Sequence, residues 1–198
     1  MKIFGLTGGS GTGKSTVSSL LLNRGIYVVD TDRLSRVVVK KGTQCLDELV
    51  HMFGGEILRD DGTLNRKKLG EIVFNDEEKL KVLNRITHHY IKYAIMGELR
   101  NCESEYAAID GAVIIGSPVE ELCDFIVTVD ADYDIRLRRV IERDGISEEY
   151  ARSRIDSQMS SEEYRAGAKY IIENNGTYEE LERAVYDVCD QIKGIKDA

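Results

Sequence analysis

The stretch Ile3-Phe4-Gly5-Leu6-Thr7-Gly8-Gly9-Ser10-Gly11-Thr12-Gly13-Lys14-Ser15-Thr16 decides the fold of this 198-residue chain. A short apolar run, a glycine-rich turn and the helix-like run Val17 to Leu22 follow one another, with the spacing GxxxxGK[ST] from Gly8 to Ser15. Glycine reaches φ > 0 without a Cβ clash, so successive backbone N–H groups can face one concavity. Those donors and the N-terminus of the following helix make a seat for polyphosphate. Gly9, Ser10, Gly11, Thr12, Gly13, Lys14, Ser15 and Thr16 are therefore the expected nucleotide contacts. Lys14 would reach the β- and γ-phosphates, and the Ser15 hydroxyl would bind Mg²⁺. A plain strand-to-helix turn of about two to six residues would not need this pattern.

The rest of the chain is consistent with a nucleotide-binding α/β protein. A length of 198 residues fits one domain with appendages. Composition is ordinary for a globular protein, and the net charge of −8 argues against a general nucleic-acid or membrane-surface binder. No apolar run approaches the ~20 residues needed to span a bilayer. Met1-Lys2-Ile3 leads straight into the first strand, so no signal peptide is expected. Cys45, Cys102, Cys123 and Cys189 form no CxxC or Cys/His cluster and read as reduced thiols of a cytoplasmic protein.

Beyond the first helix, which Gly25 is placed to cap, Ile26-Tyr27-Val28-Val29 reads as a buried strand ending at Asp30-Thr31-Asp32. In open α/β sheets the ligand lies beyond the carboxyl ends of the strands, which places Asp30 and Asp32 near the phosphates. Either could instead cap a following helix over 33–39, because Asp is a favoured N-cap. Leu46, Leu49, Val50 and Phe53 predict a helix that stops at Gly54-Gly55. Asp60-Asp61-Gly62-Thr63 is a turn signal, Asn65-Arg66 starts a short helix, and Leu80 to Leu99 carries a long apolar helical face. Residues of about 43–101 thus form a helical insertion far longer than the roughly dozen residues a simple crossover needs. A substrate-covering subdomain explains the excess.

Tyr106 to Asp110 and Phe125 to Val129 are further strands. Asp110 has the form of a carboxylate that holds Mg²⁺ through water, and equally that of a turn residue. From Tyr133 to Arg165 every basic residue is an arginine: Arg136, Arg138, Arg139, Arg143, Arg152, Arg154 and Arg165. Arginine's fixed fork binds phosphate oxygens bidentately, so this segment of about 133–165 reads as a mobile lid, with Arg139 and Arg143 its candidate ligands. The alternative is a solvated face paired with glutamates. Tyr170-Ile171-Ile172 is the last strand. Asn174 behind it could line the nucleotide base or simply belong to the Asn-Asn-Gly turn. A terminal helix carries Leu181, Val185, Val188 and Ile192, and the tail from Gly194 reads as loose.

Neither the DxxG nor the NKxD pattern of signalling GTPases occurs in the sequence. A small-molecule kinase is the remaining enzyme class, and a nucleotide-binding regulator without turnover is the competitor from outside it.

In the order and spacing of these residues the chain resembles the dephospho-CoA kinases of coenzyme A biosynthesis, from residue 1 to about 190. The likeness rests on Gly5-Leu6-Thr7-Gly8-Gly9, Val29-Asp30-Thr31-Asp32, Arg36, Phe53-Gly54, Asp61-Gly62-Thr63-Leu64, Leu69, Val73-Phe74 and His88. It continues through Arg139, Arg143-Asp144, Arg154-Ile155, Gln158, Asn174 and Gly176. The resemblance implies a P-loop NTPase-type parallel five-stranded sheet flanked by helices, a helical CoA subdomain and an arginine-rich lid, together one kinase domain. It implies transfer of the ATP γ-phosphoryl, with Mg²⁺, to the ribose 3′-hydroxyl of dephospho-CoA. Asp32, Lys14 and Arg139 would be catalytic. Arg139, Arg143 and Asn174 would join the loop in holding ATP. Thr7, Asp32, Arg36, His88 and Asp110 would face dephospho-CoA. The partners implied are these two small molecules, with no obligate protein partner. The chain departs from the family pattern at His89, at Ala112 to Gly116 and at Lys169, which leaves another small-molecule acceptor as the alternative.

Overall fold

The structure, a computed structural model, describes residues 1–194; the expectation of a loose tail lies, beyond Gly194, outside them. The strands are β1 (Lys2–Thr7), β2 (Tyr27–Asp30), β3 (Tyr106–Asp110), β4 (Phe125–Asp130) and β5 (Tyr170–Glu173). They form one five-stranded sheet in the order β2-β3-β1-β4-β5, and β1 pairs in parallel with both β3 and β4. The strands run one residue or so beyond the apolar stretches that announce them, because a ladder needs only backbone groups to continue.

By its internal packing the chain divides into two compact units. The first holds Met1–Val29 and the chain from Cys102 onward. Its helices are α1 (Lys14–Asn23), α6 (Tyr133–Asp144), α7 (Glu148–Asp156), α8 (Ser161–Ala166) and α9 (Tyr178–Lys193). Phe4, Leu6, Val127, Val129 and Ile172 of the sheet pack with Leu20 and Leu21 of α1 and with Leu181 and Val185 of α9. Each such fully buried side chain contributes about 1.5–3 kcal/mol of transfer free energy, which fixes the sheet as the rigid platform of the unit. A smaller cluster, Leu137, Val140, Ala151 and Ile155, holds α6 to α7, and Gly145 at φ 63° makes the turn out of α6.

The second unit, Asp30–Asn101, begins earlier in the chain than the expected boundary near 43. It contains α2 (Thr31–Val37), α3 (Gln44–Phe53), α4 (Arg66–Val73) and α5 (Glu77–Arg100). Leu46, Leu49, Ile57, Leu69, Val73 and Ile86 form its core. Side-chain caps set the helix starts: Thr43, Asn65 and Asp76 accept from the backbones of Leu46, Lys68 and Lys79.

One boundary corrects the sequence reading. The helix expected over 33–39 is α2, and it starts at Thr31 because the Asp30 side chain caps it, accepting from the Arg33 N–H at 2.9 Å. Asp30 is thus the capping residue of the pair, and Asp32 lies in the first helical turn.

All four cysteines are free thiols. Burial pushes Cys45 up to about 11 and Cys123 up to about 12, so both stay protonated and unreactive at neutral pH.

Candidate active site

The site of the first unit is assembled at the carboxyl end of β1. Parallel register sets Leu6 opposite Asp110 of β3 and Thr7 opposite Thr128 of β4, so both neighbouring strands end beside the glycine-rich loop. Thr7 is fully buried, and its hydroxyl donates to the Ala112 carbonyl at 3.3 Å. The Tyr164 hydroxyl reaches the same carbonyl at 3.4 Å. The stretch that departs from the family pattern therefore meets the loop through a backbone atom, which side-chain changes at Ala112 leave in place.

Within the loop, Thr12 closes the turn by donating its hydroxyl to the Gly9 carbonyl at 2.9 Å. Gly13 has φ 89°, and a Cβ there would stand 2.2 Å from Asn174 Nδ2. Asn174 is buried, and its amide donates to the Thr12 carbonyl at 2.8 Å. Gly13 therefore has to be glycine both for its conformation and for the approach of the Asn174 loop. The helix that follows begins without a side-chain cap and without an acidic residue in its first turn, so its leading N–H groups and positive end stay available to an anion.

Lys14 is ion-paired to Asp110, and the Ser18 hydroxyl, 3.0 Å from the Lys14 carbonyl, also bonds to Asp110. The structure therefore brings the loop lysine and the β3 carboxylate together. Ser15 is exposed at the start of α1. Among the described residues no group of three or more His, Cys, Asp or Glu side chains is placed to hold a metal ion. A hydroxyl such as Ser15 with nucleotide phosphates suits Mg²⁺, which keeps several waters and one or two protein ligands.

The arginines of α6–α8 divide sharply by partner. Arg139 Nη1 donates to the Asn174 carbonyl at 3.0 Å and the Gly11 carbonyl at 3.4 Å, and its Nη2 to Asn174 Oδ1 at 3.3 Å. Burial, and then the neighbouring Arg138 charge, lower its pKa from the usual guanidinium value. Arg143 instead forms a two-point pair with its neighbour Asp144, at 2.7 and 2.8 Å, which Arg154 shares at 2.7 Å. Arg152 pairs with Glu148, and Arg165 with Asp130 and Glu173. Of these arginines only Arg152 makes the purely glutamate pair of the solvated-face alternative; Arg143 and Arg154 share Asp144, Arg165 bridges Glu173 and the buried Asp130, and Arg139 is brought to the loop.

Two loop contacts lay outside the expected site. Arg136 is 4% exposed and donates its Nε to the Ser10 carbonyl at 3.1 Å. Gln158 accepts the Ser10 N–H at 2.8 Å. Arg136 lies three residues before Arg139 on α6, so the shared helix face was the available sign. Gln158 carries no charge or periodicity, and only its place in the family resemblance marks it.

Asp32, Arg36 and His88 belong to the second unit. Asp32 and Arg36 are exposed on α2. His88, half-buried on α5, lines a cavity of about 340 Å³ with Ser35, Leu69, Phe74, Thr87 and Ile91. Burial lowers its pKa, so it is neutral at physiological pH.

Comparison with known proteins places this geometry among relatives. A family model described as dephospho-CoA kinase matches residues 2–180. A dephospho-CoA kinase from Listeria innocua is 42% identical, covering 98% of this chain and 99% of that protein. One from Fusobacterium nucleatum is 40% identical, over 96% of this chain and 98% of that protein. A solved structure of the dephospho-CoA kinase from Campylobacter jejuni aligns with a TM-score of 0.70 and 27% identity, over 99% of this chain and all of that one. A shikimate kinase from Acinetobacter baumannii, at 17% identity and a TM-score of 0.53, covers all of this chain and 96% of that one, and shares the fold.

Proposed function

Because this chain belongs to the dephospho-CoA kinase family, we propose that it transfers the γ-phosphoryl of ATP to the ribose 3′-hydroxyl of dephospho-CoA, giving CoA and ADP. The observation that carries the reading is the open, uncapped loop-to-helix junction with Lys14 and Asp110 paired beside it. In phosphoryl transfer most of the work is positioning and charge stabilisation, and this site is equipped for both.

Within Gly9 to Thr16 the backbone N–H groups left open by the bonds of Ser10, Thr12 and Thr16 seat the triphosphate, and Lys14 leaves Asp110 to neutralise the β- and γ-phosphates. Ser15 would hold Mg²⁺, with Asp110 as the carboxylate for its water shell; the ion supplies charge neutralisation of the phosphates. Arg139, supported by the Gly11 and Asn174 carbonyls, adds positive charge, and Asn174 shapes the base side. Arg143 is a weaker ATP contact in this reading, since Asp144 occupies its fork.

Asp32 orients the 3′-hydroxyl and accepts its proton; its exposure in the first turn of α2, just past β2, suits that role. Arg36 and His88 belong to the acceptor side, whereas Thr7, expected there, is fully buried on the Ala112 carbonyl and supports the end of β1 from within. The helical unit is an acceptor-binding insertion in one kinase domain. The segment α6–α8 serves as its lid. No described helix is long and apolar enough to cross a membrane; the cytoplasm is our proposal from the family's place in coenzyme A biosynthesis. Incubation with Mg-ATP and dephospho-CoA should release one ADP per CoA formed; ADP release without CoA would reject the assignment.

A further inference from the structure

The peptide of Ser10, at the turn of the phosphate loop, is held at both ends by the arginine-rich segment. Its carbonyl takes Arg136 Nε, and its N–H is taken by Gln158 Oε1. These two bonds fix what each side chain has left to offer. A backbone N–H can only donate, so the carboxamide oxygen of Gln158 must face Ser10 and its NH₂ end must point elsewhere. Arg136, with Nε committed, keeps Nη2 buried and without a partner among the described residues.

The two groups converge on the same backbone. A Cβ on Gly9 would stand 2.3 Å from Arg136 Nη2 and 3.4 Å from Gln158 Oε1, so glycine lets both side chains come down onto the loop. They also line one open cavity of about 600 Å³ behind the loop, whose other walls include Asp130, Asp132, Asp156 and Arg165, so the phosphoryl oxygens are expected on the loop side of the pair. A buried guanidinium nitrogen with no acceptor carries its desolvation cost uncompensated. An anionic oxygen would satisfy it, and the uncapped start of α1 with no first-turn carboxylate is an independent sign of an anion at this loop. Arg139 does not fill this place, because its Nη1 and Nη2 are bonded to Gly11 and Asn174.

We propose that Gln158 and Arg136 form a donor pair for the terminal phosphoryl group of the bound triphosphate, with the Gln158 NH₂ and Arg136 Nη2 binding its oxygens. The proposal rests on the reading of the loop as a nucleoside-triphosphate site. Ser10 sets the pair by orienting the amide of one and anchoring the guanidinium of the other.

Gln158→Glu and Gln158→Ala separate this role from a mere tether. Glutamate still accepts the Ser10 N–H and can pair with Arg136, so as a tether it is at least as good; as a phosphoryl donor it fails and repels. The measurements are kcat with Mg-ATP and dephospho-CoA, melting temperature, and affinity for ADP and for the non-hydrolysable triphosphate AMPPNP. Loss of one such donor typically costs ~10²–10³ in kcat. Gln158→Glu should fall by about that factor, and further than Gln158→Ala, while keeping its melting temperature and binding ADP within about threefold of the parent. Its AMPPNP affinity should drop well beyond its ADP affinity.

A Gln158→Glu enzyme with parental kcat, or one that loses ADP and AMPPNP binding equally, overturns the proposal. Should that variant fail to fold, Arg136→Met, which keeps the buried stem and removes the donors, carries the same ADP-against-AMPPNP comparison. If the parent protein binds neither nucleotide, the underlying site assignment fails instead.

Discussion

Lys14 and Asp110, 96 residues apart in the chain, are ion-paired at the edge of the phosphate loop. Their side chains are 19% and 13% exposed, so the pair is neither a surface ornament nor a sealed core bridge. It holds the lysine beside the loop. Parallel register puts Asp110 there, opposite Leu6 and one residue short of Thr7.

Asp110→Asn should therefore harm activity more than stability. A partly exposed pair contributes on the order of 1 kcal/mol, worth roughly 2–4 °C in melting temperature for a chain of this size. Loss of a carboxylate that guides a ligand to the phosphates should cost about 10–100-fold in kcat. Parallel thermal melts and steady-state kinetics check both, and an unchanged kcat would leave Asp110 a structural partner of Lys14 and Ser18 only.

Asp32→Asn should keep ATP affinity within about threefold and lower kcat by roughly 10²–10⁴. The substitution preserves shape and removes the carboxylate proposed to accept the hydroxyl proton. Isothermal titration with ATP and turnover with dephospho-CoA are the paired measurements. A kcat within a few-fold of the parent would transfer the acceptor-side role to another group.

Gly13→Ala should destabilise the first unit by about 1–3 kcal/mol, because a left-handed backbone carries a Cβ badly. The new methyl would also meet Asn174 Nδ2, loosening the amide that ties the Asn174 loop to Thr12. Melting temperature and ATP affinity should fall together. A variant with parental melting behaviour would mean that the loop relaxes freely.

The pH dependence of stability should show Asp130. Burial alone would raise its pKa, but hydrogen bonds from Ser161, Arg165 and the Ala131 N–H outweigh that and hold it below the usual value. A carboxyl depressed in the fold stabilises above its unfolded pKa of about 3.9 and loses that contribution as pH falls through the folded value. Urea melts should find the parent more stable than Asp130→Asn at pH 7. The gap should narrow below about pH 4.

The sequence revealed most where chemistry and chain direction coincide. Gly8 to Ser15, the five strands and the helices with Thr43 and Asn65 at their starts could be read because glycine conformation, apolar runs and caps are local properties. What could not be read depends on distant partners. Asp30 and Asp32 are equivalent on paper until the cap to Arg33 separates them. Arg136 and Arg143 are both arginines of one helix, yet one is buried on Ser10 and the other is spent on Asp144. The amide of Gln158 gains meaning only from the orientation of a peptide 148 residues away.

The central claim is the identity of the acceptor, and one panel tests it most directly. Initial rates of ADP formation with Mg-ATP should be compared for dephospho-CoA, AMP, shikimate, gluconate and a nucleoside at equal concentration. Dephospho-CoA should exceed every other acceptor by at least about 100-fold, the scale set when buried polar contacts to the correct substrate are left unpaired by a wrong one. A faster rate with any other acceptor, or no acceptor-dependent ADP at all, would contradict the account.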